Sequence, residues 1–271
     1  MTAQTLGGPG QVAYVVPFVA TTQTRHARGQ LQIAADQWAQ GGGHTLSMVR
    51  GQPGVGKTTL VEQMVDLNYR QQGHAVIQLQ LSSVTTPNEI ASRTLRTIGG
   101  DPRGTNPLLL ERIVDLLEDR RCVFLLDEAH HLSDRGVRDL KLLFDRLPAA
   151  DIIVCGAANL PYTLERVPEL YARVGTRVTV EPLPLDEAFA VLPHYHQLYQ
   201  GAEQDLITQV DRGYAKGLWR SWHNFTVKAA MIGAQVGQNT LDHQLLALTF
   251  AAIGVPGIAA PGRTKKRARA R

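Results

Sequence analysis

The stretch Gly-Gln-Pro-Gly-Val-Gly-Lys-Thr-Thr at 51–59 restricts this chain more than any other. Gly51, Gly56, Lys57 and Thr58 fit the pattern G-x-x-x-x-G-K-[ST]. An apolar run at 44–50 precedes it and a helical pattern follows, so the loop is expected to leave a strand and open a helix, the context such a motif requires. The residue types have a chemical reason. Glycines let backbone amides converge on phosphate oxygens, the helix N-terminus adds its positive end, Lys57 reaches the β and γ phosphates, and Thr58 ligates a metal ion. The candidate phosphate cradle is therefore Gly51, Gln52, Pro53, Gly54, Val55, Gly56, Lys57, Thr58 and Thr59, with ATP and Mg²⁺ as the expected ligands.

The run Cys-Val-Phe-Leu-Leu-Asp at 122–127 is apolar until its last residue. Asp127 thus falls at the carboxyl end of an expected strand, the edge where parallel α/β sheets place ligands. There it can share Mg²⁺ with Thr58, while Glu128 can polarise a water for in-line attack on the γ-phosphate. His130 and His131 follow with no assigned role. Strands are expected at 44–50, 74–81, 121–127, 151–157 and 177–183. Helices at about 24–39, 57–72, 87–98, 107–119, 134–147 and 159–172 alternate with the strands, which implies an α/β fold with a parallel five-stranded sheet covered on both faces. The uncharged runs at 123–126 and 152–155 suit strands buried on both sides. Beyond 184 the apolar spacing becomes helical, at 186–199, 203–214, 219–235 and 241–252. The expected organisation is an irregular N-terminus (1–13), an α/β nucleotide-binding domain (14–183), a small all-helical domain (184–255) and a tail (256–271).

Composition excludes some classes. Hydrophobic residues at 44% with 19% charged are ordinary for a soluble protein, and no run approaches the roughly 18 apolar residues of a membrane span. The first residues lack a basic segment leading into an apolar core, so no signal peptide is expected and a cytoplasmic address without membrane contact follows. Cys122 and Cys155 sit in apolar runs and are expected as small buried hydrophobes. Six of the 28 basic residues crowd into 263–271, leaving 22 against 24 acidic residues in the rest of the chain. Such a tail is expected to be disordered, either attracted to phosphate backbones and acidic partners or merely solubilising.

Given these motifs, the chain resembles an AAA+ ATPase over roughly residues 14–252. The resemblance implies the P-loop NTPase fold of that family, with the sheet in the ASCE-type strand order, a small C-terminal helical lid, and hydrolysis of ATP to ADP and phosphate, slow and stimulated by DNA or a partner. It implies that Asn159, just past the strand at 151–157, acts as the sensor 1 residue orienting the attacking water, although some members carry that polar group where this chain has Ala157 and Ala158. It implies an arginine finger at Arg173 or Arg177, in "ELYARVGTRVTVEPL" before the fifth strand. In "GLWRSWHN", Gly217, Arg220 and Asn224 match the sensor 2 pattern G-x-x-R-x-x-x-N, so Arg220 would reach from the lid to the γ-phosphate. A DEAH-helicase reading of Asp127–His130 is set aside, because such helicases carry a second RecA-like lobe with its own arginine-rich motif.

Within AAA+ proteins the compact size, the lead-in "PFVATTQTRHARGQL", "LLDEAHHL" and the short lid resemble the transposition regulators of the TnsC, TniB and MuB type. That likeness implies ATP-dependent assembly into a ring or helical filament on duplex DNA, without sequence preference, and recruitment or stimulation of a transposase. It also places Arg93, Arg96 and Arg103, with hydroxyl donors at 82–86, on the DNA-facing surface as phosphate contacts; arginines three apart can equally form a solvated helix face. Two other readings stand beside it: a helicase loader or adaptor ATPase that binds a replication protein, and a signalling P-loop NTPase indifferent to DNA.

Overall fold

A computed structural model of the chain describes residues 20–41, 45–118 and 120–255. The irregular N-terminus expected at 1–13 and the basic tail lie outside them. The chain divides into two compact units, with the break between Glu181 and Pro182.

The unit Thr22–Glu181 alternates helices and strands: α1 (Thr22–Ala39), β1 (Leu46–Gly51), α2 (Lys57–Val65), β2 (Ala75–Gln80), α3 (Pro87–Ile98), α4 (Asn106–Leu117), β3 (Cys122–Asp127), α5 (Asp134–Arg146), β4 (Ala150–Gly156), α6 (Leu160–Leu164), α7 (Pro168–Tyr171) and β5 (Val174–Val180). The five strands are parallel, in the order β2-β3-β4-β1-β5. This is the AAA+ P-loop arrangement, in which β4 separates the phosphate-loop strand from the acidic strand. All residues of β3 and β4 are buried, as their uncharged runs require, whereas the edge strands β2 and β5 alternate. Met48, Phe124, Leu126 and Val154 form one core with α3, α4 and α5, and α1 and α2 pack on the sheet through β5, β1 and β4. Both cysteines are buried and unpaired.

Two expected elements end differently. The helix expected at 159–172 is two short helices, because Pro168 cannot donate into a continuing helix and forces Val167 out of the helical region, to φ −127° and ψ 85°. The last strand begins at Val174, three residues before its expected start, since buried Val174 pairs with Leu46 of β1. Arg177 therefore lies inside β5 and not ahead of it.

The second unit is helical over the described residues 182–255: α8 (Leu185–Tyr195), α9 (Gln204–Val210), α10 (Trp219–Val236) and α11 (His243–Ile253). Its own core contains Leu192, Tyr199, Trp222, Phe225 and Phe250. The Tyr199 hydroxyl is matched with Thr226 Oγ1 at 2.6 Å, which removes the penalty of burying an unpaired polar tip.

Candidate nucleotide site

The phosphate loop is built by backbone geometry before any side chain acts. Gly51 closes β1 opposite Val180 of β5, and a Cβ there would lie 2.2 Å from the Val180 carbonyl oxygen. Only glycine lets the two strands meet at that point. Gly54 (φ 87°) and Gly56 (φ 94°) adopt left-handed backbone, which turns the loop into α2. Pro53 has no backbone N–H to offer, so any donors to a phosphate in this loop would be the N–H groups around it. Val55 is buried and anchors the loop, while Gln52, Pro53, Thr58 and Thr59 are exposed.

Lys57 is buried, and its Nζ donates to the carbonyls of Gly51 (3.0 Å) and Gln52 (2.9 Å), bending the side chain back along the loop. Thr58 Oγ1 donates to Asp127 Oδ2 at 2.9 Å. The hydroxyl of α2 and the carboxylate of β3 thus meet although β4 separates β3 from β1 in the sheet. These hard oxygen donors suit Mg²⁺. The second Asp127 oxygen, Oδ1, accepts the Glu128 N–H at 2.9 Å, which fixes the carboxylate plane.

Glu128 itself has left-handed backbone, φ 55° and ψ 34°, unusual for a residue with a side chain. It opens a short 3₁₀ turn, Ala129–His131. His130 reaches the neighbouring strand end, where its Nδ1 accepts the Ala157 N–H at 3.2 Å. Ligating atoms of Glu128, His130 and His131 come within 4.8 Å of one another, but Nδ1 of His130 is engaged by Ala157. No local sequence signal marks His130, because its partner lies 27 residues away.

The other expected site residues are dispersed. Asn159 is exposed at the N-cap of α6, and among the described residues no hydrogen bond ties its side chain to the acidic pair. Arg173 forms an ion pair with Asp145 of α5 and stacks over Phe144. The hydrogen bond from Lys141 is the main cause that holds the Asp145 carboxyl below its usual range, with Arg173 adding to it. Arg177 stacks over Tyr171 at 4.5 Å and donates weakly to its carbonyl at 3.4 Å. Arg220 and Asn224 are exposed, one turn apart on α10 of the helical unit. Gly217 ahead of them is left-handed and hydrogen-bonded through its carbonyl to Leu183 N–H; a Cβ would meet the Leu183 oxygen at 2.6 Å. This glycine shapes the turn into α10. Of the candidate DNA contacts, Arg93 donates to the Gln80 carbonyl at the end of β2, Arg103 pairs with Asp101 at 3.1 Å, and Arg96 is exposed.

Residues 40–164 match the AAA domain family. No curated protein matches the chain. Among solved structures, Cdc6p from Pyrobaculum aerophilum is similar with a TM-score of 0.72 at 18% identity, over 93% of this chain and 71% of that one. The Aeropyrum pernix ORC2 protein, solved as ADPNP-ADP complexes, gives 0.70 at 18% identity over 88% and 70%. Drosophila ORC bound to DNA gives 0.60 at 19% identity over 92% and 70%. At these identities the likeness concerns the fold. No helix among the described residues is long and apolar enough to cross a membrane.

Proposed function

We propose that the chain is an ATPase that binds duplex DNA and self-associates in an ATP-dependent manner, hydrolysis serving to reset the assembly. The observation that carries the reading is the hydrogen bond from Thr58 Oγ1 to Asp127 Oδ2, beside Lys57 and the left-handed Gly54 and Gly56. That donor set is what a nucleoside triphosphate with Mg²⁺ needs. Bound there, the metal ion would neutralise phosphate charge and orient the terminal phosphoryl group. Lys57 holds the loop carbonyls and would exchange them for phosphate oxygens. Glu128 is within one residue of Asp127 and accepts no hydrogen bond from the described residues, which leaves its carboxylate free to take a proton from an attacking water.

The arginine finger in trans would come from Arg173 or Arg177, both exposed. Arg173 would first have to leave Asp145, whereas Arg177 is held only by a stacked ring and a long hydrogen bond; this favours Arg177. Arg220 would act from the helical unit, and Arg96, with the solvent-facing donors of Arg93 and Arg103, would take DNA phosphates without reading bases. In the finer reading the assembly is a regulator of DNA transposition that recruits or stimulates a transposase in the cytoplasm. A second reading is a helicase loader or adaptor that binds a replication protein; the Cdc6p and ORC2 structures share its fold. Capture of a transposase or of a helicase by the tagged protein separates the two.

Glu128→Gln tests the core of the proposal. The variant should bind ATP as the unaltered protein does and still co-sediment with long duplex DNA, while turnover falls by about 10²- to 10⁴-fold, the usual loss of a general base. Unchanged turnover would remove Glu128 from the mechanism, and ATP-independent sedimentation would remove the nucleotide from control of assembly.

A further inference from the structure

We propose that His130 is a positioning residue of the hydrolytic site: its imidazole braces the turn carrying Glu128 against the end of β4, so the carboxylate is held in place without being engaged in a hydrogen bond. The proposal rests on the ATPase reading for its kinetic consequence, but the brace itself does not.

The left-handed backbone of Glu128 costs roughly 1–2 kcal/mol in a residue with a Cβ, and the surroundings must sustain it. Asp127 Oδ1 accepts the Glu128 N–H, and the Glu128 carbonyl accepts the His131 N–H at 3.0 Å. Asp127 is the adjacent residue at the end of β3 and His131 belongs to the turn itself, so neither ties the turn to β4. The fixing contacts come from His130. Its Nδ1 accepts the Ala157 N–H at 3.2 Å, and its carbonyl accepts Thr163 Oγ1 from α6 at 3.3 Å. The strand end has been cleared for it: a Cβ on Gly156 would stand 3.1 Å from His130 Nδ1 and 3.2 Å from its backbone nitrogen. Ala157 and Ala158 offer no polar side chain there, so the backbone N–H of Ala157 is the donor the strand end presents, and His130 uses it.

The tautomer follows from the bond. An Nδ1 that accepts carries no proton, so the neutral ring holds its proton on Nε2. Burial lowers the His130 pKa, with the charges of His131 and Lys57 acting in the same sense and Glu128 and Asp127 opposing, which agrees with a neutral ring. Glu128 Oε2 lies 3.3 Å from that same Nδ1. Both atoms then bear lone pairs, so the approach is a contact and neither an ion pair nor a hydrogen bond. The Ala157 bond decides this, because its donor hydrogen belongs to the backbone and cannot move. Glu128 is located by its neighbour, yet its oxygens keep their capacity for water.

Two measurements on the full chain test the proposal. In nucleotide-free protein, the Ala157 amide should lose hydrogen-exchange protection in His130→Ala and in His130→Gln, whose side-chain amide extends toward the Nε2 position. It should keep protection in His130→Asn, whose Oδ1 falls near the Nδ1 position. In ATP turnover, His130→Ala and His130→Gln should lose kcat by about tenfold to a hundredfold with KM and nucleotide affinity within about twofold, and His130→Asn should recover most of the loss. Unchanged Ala157 protection in both His130→Ala and His130→Gln overturns the brace. Unchanged kcat, an equal loss of nucleotide affinity, or an Asn variant no better than Ala overturns the positioning role. If the unaltered protein hydrolyses no ATP, the ATPase reading falls, and the amide measurement still decides the brace.

Discussion

Two buried aspartates stand at opposite edges of the same sheet. Asp127 ends β3 at the carboxyl edge, and its oxygens meet the Thr58 hydroxyl and the Glu128 N–H. Asp151 is the second residue of β4 at the amino edge, where Tyr69 and Thr45 each donate a hydroxyl to one of its oxygens. Around Asp151 the structure is sealed. Trp38 packs on Tyr69 and His74, its indole N–H donates to the Ala149 carbonyl at 3.0 Å, and Arg121 closes the end of α1 through the carbonyls of Trp38 and Ala39. Burial pushes the Asp151 carboxyl up to about 6 even though both hydroxyls and the Ile152 amide favour its charged form. One carboxylate is built into an edge that can take a ligand, and the other staples the floor of the sheet. Burial alone therefore does not mark a functional acid; what matters is which strand end carries it and whether its partners line the carboxyl edge of the sheet or belong to a packed core.

The largest expected break in the comparison is Asp127→Asn. Turnover should fall by roughly a hundredfold to a thousandfold through weakened metal binding, while thermal melting of the protein stays close to that of the unaltered chain. Asp151→Ala should do the reverse. It leaves the Tyr69 and Thr45 hydroxyls without their acceptor, at roughly 1–3 kcal/mol each, so the melting temperature should drop by about 5–15 °C with nucleotide affinity unchanged below melting. Equal effects of the two substitutions on melting would erase the distinction.

The smallest effect is in pH. The folded protein binds the Asp151 proton more tightly than an ordinary carboxylate with its value of 3.8. Its contribution to stability is therefore complete below that value and is lost as the pH rises through about 6. Asp151→Asn cannot ionise and should remove this loss. Relative to the unaltered protein, the variant should gain melting temperature steadily from pH 4 to pH 6 and remain level above it. A difference that does not change across this interval would show that Asp151 does not titrate with folding.

Much of this was legible in the sequence because it is local. The spacing of Gly51, Gly56, Lys57 and Thr58, the apolar run ending in Asp127 and the alternation of strands and helices are read within a few residues of one another, and they imply the parallel sheet. Pro168 is an equally local signal, and it marks where the expected helix divides in two. What stayed hidden depends on partners far along the chain: Tyr69 with Asp151 across 82 residues, Arg173 with Asp145 across 28, and His130 with Ala157 across 27. The sequence by itself determined that a phosphate loop and an acidic strand end would exist. The order that puts β4 between their strands was implied by the AAA+ resemblance and not by local spacing, and only the tertiary structure decided that the end of β4, bare of polar side chains, is met by a histidine. Periodicity reports which face a residue shows, but hydrogen-bond partners are chosen by strand order, and strand order is settled when the whole sheet packs.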